Sequence, residues 1–212
     1  MKIALIGATG GTGIAFMEMA LEAGHELTCI ARTPSKITTE HERLTVVKGD
    51  VFDADSLVPG LTGQDILVGA FGVAAGPRNM VKPTTLYSDG IRNVLAAMKQ
   101  AELKRLLMIS SSGILHDPNA AWFWNKILRP ISWKMYSDML QMEVFICETD
   151  LDWTIVKPPQ LIDAPETNDL RIAIDTVPPG THQVTRADLA RFMLKEVEEA
   201  AHTRQRVVMA GP

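Results

Sequence analysis

The chain begins with a short apolar stretch, Ile3-Ala4-Leu5-Ile6, that runs without a break into Gly7-Ala8-Thr9-Gly10-Gly11-Thr12-Gly13 and then into a helical apolar pattern. A strand that must turn straight into a helix needs glycine where the turn tightens, where a ligand comes close to the backbone, and where the helix lies against its own strand. The unpaired amides at the start of that helix then face outward and suit phosphate oxygens. The glycines fall at positions 7, 10 and 13, a GxxGxxG spacing rather than GxGxxG. Gly7, Thr9, Gly10, Gly11, Thr12 and Gly13 are therefore expected to hold the diphosphate of a dinucleotide. A loop of this kind taken alone is also compatible with a mere tight turn, and it is the strand before it and the helix after it that favour the nucleotide.

The rest of the chain repeats the strand-then-helix rhythm. Apolar runs KIALIG, ELTCIA, LTVVKG, DILVGAF, RLLMISS and WTIVKP are separated by segments with turn or helix signals, which predicts an α/β fold of the Rossmann type, a doubly wound, mostly parallel sheet with helices on both faces. Its 212 residues suit a single domain spanning 1–212. Helices are expected over 12–23, 53–59, 85–101, irregularly within 120–149, and over 186–200, with a last strand at Gln205–Ala210. In such a sheet the residues following Ile6, Ile30, Gly49, Ala70, Ile109 and Lys157 should line one crevice.

Composition narrows the function classes. The formal net charge is -4, with 21 basic and 25 acidic residues spread along the chain, so no basic stripe recommends a nucleic-acid partner. The five histidines lack paired ligand spacing, and no metal is expected. Cys29 and Cys147 form no CxxC pair and suggest reduced thiols in a cytoplasmic protein. The N-terminal residues do not read as a signal peptide, and no run reaches transmembrane length.

At the end of the second strand, where an NAD enzyme would place an acid for the ribose hydroxyls, the sequence offers Arg32, followed by Thr33, Ser35 and Lys36. A guanidinium and an ammonium suit a 2′-phosphate, so NADP(H) is expected over NAD(H). The alternative is that both cations decorate an exposed loop. Asp50 and Val51 are expected at the adenine, although Asp50 would equally serve as a helix cap. Ala70, Phe71 and Gly72 put small and flat residues where the cofactor passes.

The fifth strand delivers Ile109-Ser110-Ser111-Ser112 to the crevice. A Tyr-xxx-Lys pair to work beside such a serine is absent: four residues after Tyr87 and Tyr136 stand Ile91 and Leu140, which disfavours ordinary alcohol–ketone chemistry. Ser111 is not in GxSxG either, so a serine hydrolase is not indicated. The serines are also open to reading as strand-end caps.

Several segments together resemble the biliverdin-IXβ reductase/flavin reductase family of atypical short-chain dehydrogenases: GATGGTG, Lys82-Pro83-Thr84-Thr85 with Gly90-Ile91-Arg92-Asn93-Val94, the Ser110-Ser111 strand end, Asp117-Pro118, and Pro158-Pro159 with Ile162-Asp163. The resemblance implies NADPH, a catalytic serine at Ser111 beside the nicotinamide, and hydride transfer to a small planar conjugated acceptor such as a flavin, quinone or linear tetrapyrrole. It also implies an arginine at the mouth of the site, matched by Arg78; Ile109, Ser110, Pro158, Pro159 and Gln160, at the ends of the fifth and sixth strands, are expected to border the cofactor. Two departures stand out. Gln160 replaces the histidine of mammalian members, which weakens the case for biliverdin. The segment from Ala121 to Lys134, with Trp122, Trp124 and Trp133, does not match, and reads as a substrate wall, a helix kinked at Pro130, or a membrane-surface patch. A catalytically silent NADP(H) sensor resembling NmrA-like regulators is the alternative function, and an assembly chaperone a third.

Overall fold

Strands that are apolar on both sides need cover on both sides, and this requirement sets the layers. The computed structural model describes residues 1–73, 82–115, 122, 126–127, 129–180 and 183–211. Its strands β1 (Lys2–Ile6), β2 (Glu26–Ala31), β3 (Leu44–Lys48), β4 (Ile66–Gly69), β5 (Arg105–Ile109), β6 (Asp152–Lys157), β8 (Arg171–Ile174) and β10 (Gln205–Ala210) form one sheet in the order β3-β2-β1-β4-β5-β6-β10-β8. All pairings are parallel except that of β8 with β10. β1 sits at the switch of strand order, its Ile3 opposite both Leu27 of β2 and Ile66 of β4. In open α/β sheets ligands bind beyond the carboxyl ends at that switch.

One face is covered by α1 (Gly11–Glu22) and α5 (Arg186–Glu199), which bury Phe16, Met17, Leu189 and Met193 against Leu5 and Val156. The other is covered by α2 (Ala54–Leu61), α3 (Leu86–Gln100) and α4 (Trp133–Cys147), which bury Leu57, Ile91, Met98, Met142 and Ile146 against Ala4 and Leu106. The Rossmann architecture is as expected, and the last strand has the expected bounds. Among the described residues no helix is long and apolar enough to cross a membrane.

Three strands escaped the sequence reading. β7 (Gln160–Ile162) and β9 (Gln183–Thr185) pair in a separate two-stranded sheet, and β8 closes the main sheet antiparallel. Each is three or four residues long, too short for periodicity to register. The region expected as an irregular helix resolves into a helical turn at Arg129–Ile131, a break at Ser132 and then α4. Residues 123–125 and 128 lie outside the described set.

α4 is anchored by an acid. Thr85, preceding α3, offers that helix no side-chain cap. Instead the buried Asp138 of α4 accepts the first-turn amides of Tyr87 at 2.9 Å and Ser88 at 3.3 Å. A carboxylate at a helix N-terminus is favoured by the helix dipole as well as by the bonds themselves. The bonds tie α4, which carries Tyr136 two residues earlier, to the start of α3.

Candidate active site

The glycines of the first turn have separate jobs. Gly7 has φ +99°, and a Cβ there would stand 2.4 Å from the Ala70 carbonyl carbon. A Cβ on Gly13 would lie 2.1 Å from the Gly7 carbonyl oxygen, so the chain's own packing demands glycine at both positions. Gly10 is different: its φ is -89° and, among the described residues, its Cβ would meet only the Gly7 oxygen at an ordinary 3.5 Å. The described residues leave room beside Gly10 that they do not fill. Gly10 caps α1 without any side-chain bond, and the first turn holds no acid. Thr9, Gly10 and Gly11 are exposed while Thr12 is buried. Exposed amides, free of negative charge and approachable at Gly10, fit a diphosphate.

Arg32 and Lys36 follow β2, both exposed, with Lys36 ending a short helical turn at Pro34–Lys36. Neither forms an ion pair or side-chain hydrogen bond among the described residues. Asp50 is not the cap of α2; Asp53 is, accepting Ser56 N. The Asp50 carboxylate instead accepts Phe52 N at 3.1 Å, and its own amide donates to the Ser56 hydroxyl. Val51 is buried, and its carbonyl accepts Asn93 Nδ2 at 2.9 Å. Beyond β4, Ala70 and Phe71 are half-buried and Gly72 is exposed beside the Tyr87 hydroxyl, which accepts Val73 N. Arg78, His116 and Asp117 lie outside the described residues.

The ends of β5 and β6 carry the densest chemistry. Ser110, expected to border the cofactor, turns its hydroxyl inward: Oγ donates to Glu143 Oε1 at 2.5 Å, while Lys157 Nζ donates to Glu143 Oε2 at 2.8 Å. Glu143 and Lys157 are 1 % and 2 % exposed. A buried carboxylate is tolerated only when paired and hydrogen-bonded, and Ser110 is taken up in meeting that need. Ser111 is half-buried at the crevice, with Oγ accepting Gly113 N at 3.1 Å. Ser112 N donates to the Pro158 carbonyl, tying the β5 end to the double proline. Pro158 is buried, Pro159 half-buried, and Gln160 is exposed at the start of β7.

Beside Ser111 stands a residue that the sequence reading set aside. The phenol of Tyr136 stands beside Ser111 and over Gly113, where an added Cβ would lie 2.5 Å from its hydroxyl. Burial pushes its phenol above the ordinary tyrosine value, against the opposing pull of Ser111, so it stays a proton donor well past neutrality. Leu140 still occupies the place one helical turn on, so the pair lacks a lysine there, but the tyrosine itself is in the site. Its signal was the face it shares with the buried Met135, Met139 and Met142. For Glu143 and Lys157 the signal was a charge at an apolar position in each element.

Elsewhere, an open concavity of about 780 Å³ lined by Leu95, Lys99, Lys104 and Asp150 lies at the amino ends of β5 and β6, opposite the crevice. No cluster of metal-ligating side chains exists among the described residues.

A family model described as NAD(P)H-binding matches residues 7–200. YwnB of Bacillus subtilis, an uncharacterised protein, is 27 % identical over 229 aligned positions covering 100 % of this chain and 99 % of its own. The structure of SP1627 from Streptococcus pneumoniae, a proposed NADH-flavin reductase, superposes with TM-score 0.75 at 26 % identity, covering 100 % of both chains. ChuY, an anaerobilin reductase of Escherichia coli O157:H7, superposes with TM-score 0.81 at 19 % identity over 100 % of this chain and 98 % of its own, a likeness of fold.

Proposed function

The chain belongs to the NAD(P)H-binding family, and from that premise we propose that it is an NADPH-dependent reductase that passes hydride to a planar conjugated acceptor, a flavin, quinone or linear tetrapyrrole. The observation that carries this reading is that the open Gly10 turn and the Ser111–Tyr136 hydroxyl pair stand at the carboxyl ends of β1 and β5, on either side of β4. A dinucleotide with its diphosphate at the first would extend its nicotinamide toward the second. Arg32 and Lys36 are the donors for a 2′-phosphate, unpaired among the described residues. Asp50 and Val51 flank the adenine, and Ala70, Phe71, Gly72, Ile109, Pro158 and Pro159 border the nicotinamide half.

When bound, the reduced nicotinamide supplies the hydride. The chain's own residues orient and donate: Ser111 positions the acceptor or the carboxamide, and Tyr136, kept protonated by burial, holds a proton at Oη beside it. A conjugated ring accepts hydride into a delocalised system, so face-to-face placement provides most of the rate and no lysine-assisted tyrosine is needed. The likeness to SP1627 and ChuY supports acceptors of this shape. The two cysteines, Cys29 buried and Cys147 exposed, are both free, which suits the reducing cytoplasm.

The test is consumption of NADPH by the purified protein, offered FMN, riboflavin, biliverdin and a simple quinone in turn, with NADH as control. Saturable oxidation is expected with at least one acceptor. Tight NADPH binding with no turnover on any of them would instead identify a cofactor-sensing protein.

A further inference from the structure

The roles assigned so far leave a cation at the mouth of the glycine turn unused. Arg186 opens α5, directly after its cap Thr185, whose hydroxyl accepts Asp188 N at 2.9 Å. Its side chain lies across Gly11: a Cβ on that glycine would stand 2.8 Å from Arg186 Cδ and Nε and 3.5 Å from Cζ. Gly11 is the first residue of α1, so the guanidinium lies against the first residue of the helix whose amides are read as facing a diphosphate. Gly11 is thereby explained as well, since a side chain there would push Arg186 away from the turn.

The present partner of Arg186 is a weak competitor. Nη1 donates to Asp163 Oδ1 at 2.6 Å, but the Asp163 side chain is 86 % exposed, against 24 % for Arg186. An ion pair with so exposed a carboxylate contributes little. A diphosphate offers more negative charge and the oxygen geometry that suits a guanidinium fork. The base of the arginine is held independently: the Asp188 carboxylate accepts the Thr185 and Thr167 hydroxyls and the Thr167 and Asn168 amides, locking the start of α5 to the segment after β7.

We propose that Arg186 is the clamp for the cofactor diphosphate, and that Asp163 competes with the diphosphate for its guanidinium. This rests on the reading that the Gly7–Gly13 turn seats the diphosphate, and it adds a residue from the far end of the chain to that site.

Calorimetric titration of the full chain tests it, with NADPH and with adenosine 2′-monophosphate, which lacks the diphosphate. Arg186→Gln is expected to weaken NADPH about tenfold to a hundredfold and to leave adenosine 2′-monophosphate unchanged. Asp163→Asn should tighten NADPH several-fold, and that gain should vanish when Arg186→Gln is also present. Because Asp163 is exposed, its variant keeps the test valid even if the arginine variant folds poorly. Wild-type NADPH affinity in Arg186→Gln, or equal loss of both ligands, would overturn the clamp while leaving the cofactor site in place. Failure of the wild-type protein to bind NADPH would overturn both.

Discussion

The two ends of the crevice are built by different means. The proposed cofactor end is built mostly from backbone amides, glycines and exposed cations of two short contiguous stretches, 7–13 and 32–36, joined by more distant residues such as Arg186. The acceptor end consists of side chains that meet only after folding: Ser110 reaches Glu143 across 33 residues of sequence, and Lys157 reaches it across 14. One end is specified mostly by local chain conformation and the other by tertiary packing. The first therefore tolerates change at exposed positions and fails at specific glycines, whereas the second couples chemistry to stability. Substitutions can break or sharpen this contrast.

The largest effect is expected at the buried ion pair. Lys157→Met leaves the buried Glu143 without its ion-pair partner, held only by the Ser110 hydroxyl, which costs about 3–5 kcal/mol and should appear as a lower midpoint in chemical denaturation. Adding Glu143→Leu should recover much of that loss, because an apolar pair of similar volume avoids the desolvation penalty. If the single variant unfolds like the wild type, the acceptor end does not rest on this pair. Next comes the glycine turn, where two of its glycines should diverge. Gly13→Ala forces a Cβ into the Gly7 carbonyl and is expected to cost a few kcal/mol, an overpacking penalty of about 1–3 kcal/mol or more. Gly10→Val, in extended backbone with free space beside it, should melt near the wild-type temperature yet lose NADPH binding. Equal destabilisation by both would show that Gly10 is structural.

Smaller again is Arg32→Asp, which replaces an unpaired donor with a repulsive charge. NADPH affinity should fall about tenfold to a hundredfold, on the scale of a charged hydrogen bond, with NADH far less affected. Equal change for the two cofactors in titration would remove the 2′-phosphate assignment.

The contrast between the ends also accounts for what the sequence disclosed. The tight Gly7–Gly13 turn between β1 and α1 and the mostly parallel sheet with helices on both faces were legible because their signals are local: a strand, a turn and a helix within a dozen positions. The Ser111–Tyr136 pair was not, because Tyr136 was judged by what lies one turn after it in α4 and not by what α4 packs against. Asp138 binding the start of α3 is what brings α4 there, and nothing local announces it. Ser110 illustrates the reverse case. Its place at a strand end suggested a role in the crevice, and only the buried Glu143 beneath it shows where its hydroxyl goes. β7, β8 and β9 were missed for a third reason, that segments of three or four residues take their conformation from the strands they pair with.

The smallest effects are expected at the hydroxyl pair, and they distinguish chemistry from packing. Ser111→Ala and Tyr136→Phe should each lower turnover several-fold while NADPH affinity is kept, since neither residue is proposed to carry the cofactor's phosphates. Tyr136→Phe has a second readout in pH. Burial raises the phenol above its ordinary value in the folded chain, so the neutral form is the one that folding favours. Its contribution is fully present below the unfolded value of about 10 and is lost as pH rises through the folded value. Melting temperatures of the wild type and Tyr136→Phe should therefore run parallel up to about pH 10, above which the wild type should decline faster. Turnover of the wild type should hold over the same range if Tyr136 donates. A fall in activity at lower pH that is also present in Tyr136→Phe would assign the proton to another group, and would leave Tyr136 as a packing residue that happens to lie beside Ser111.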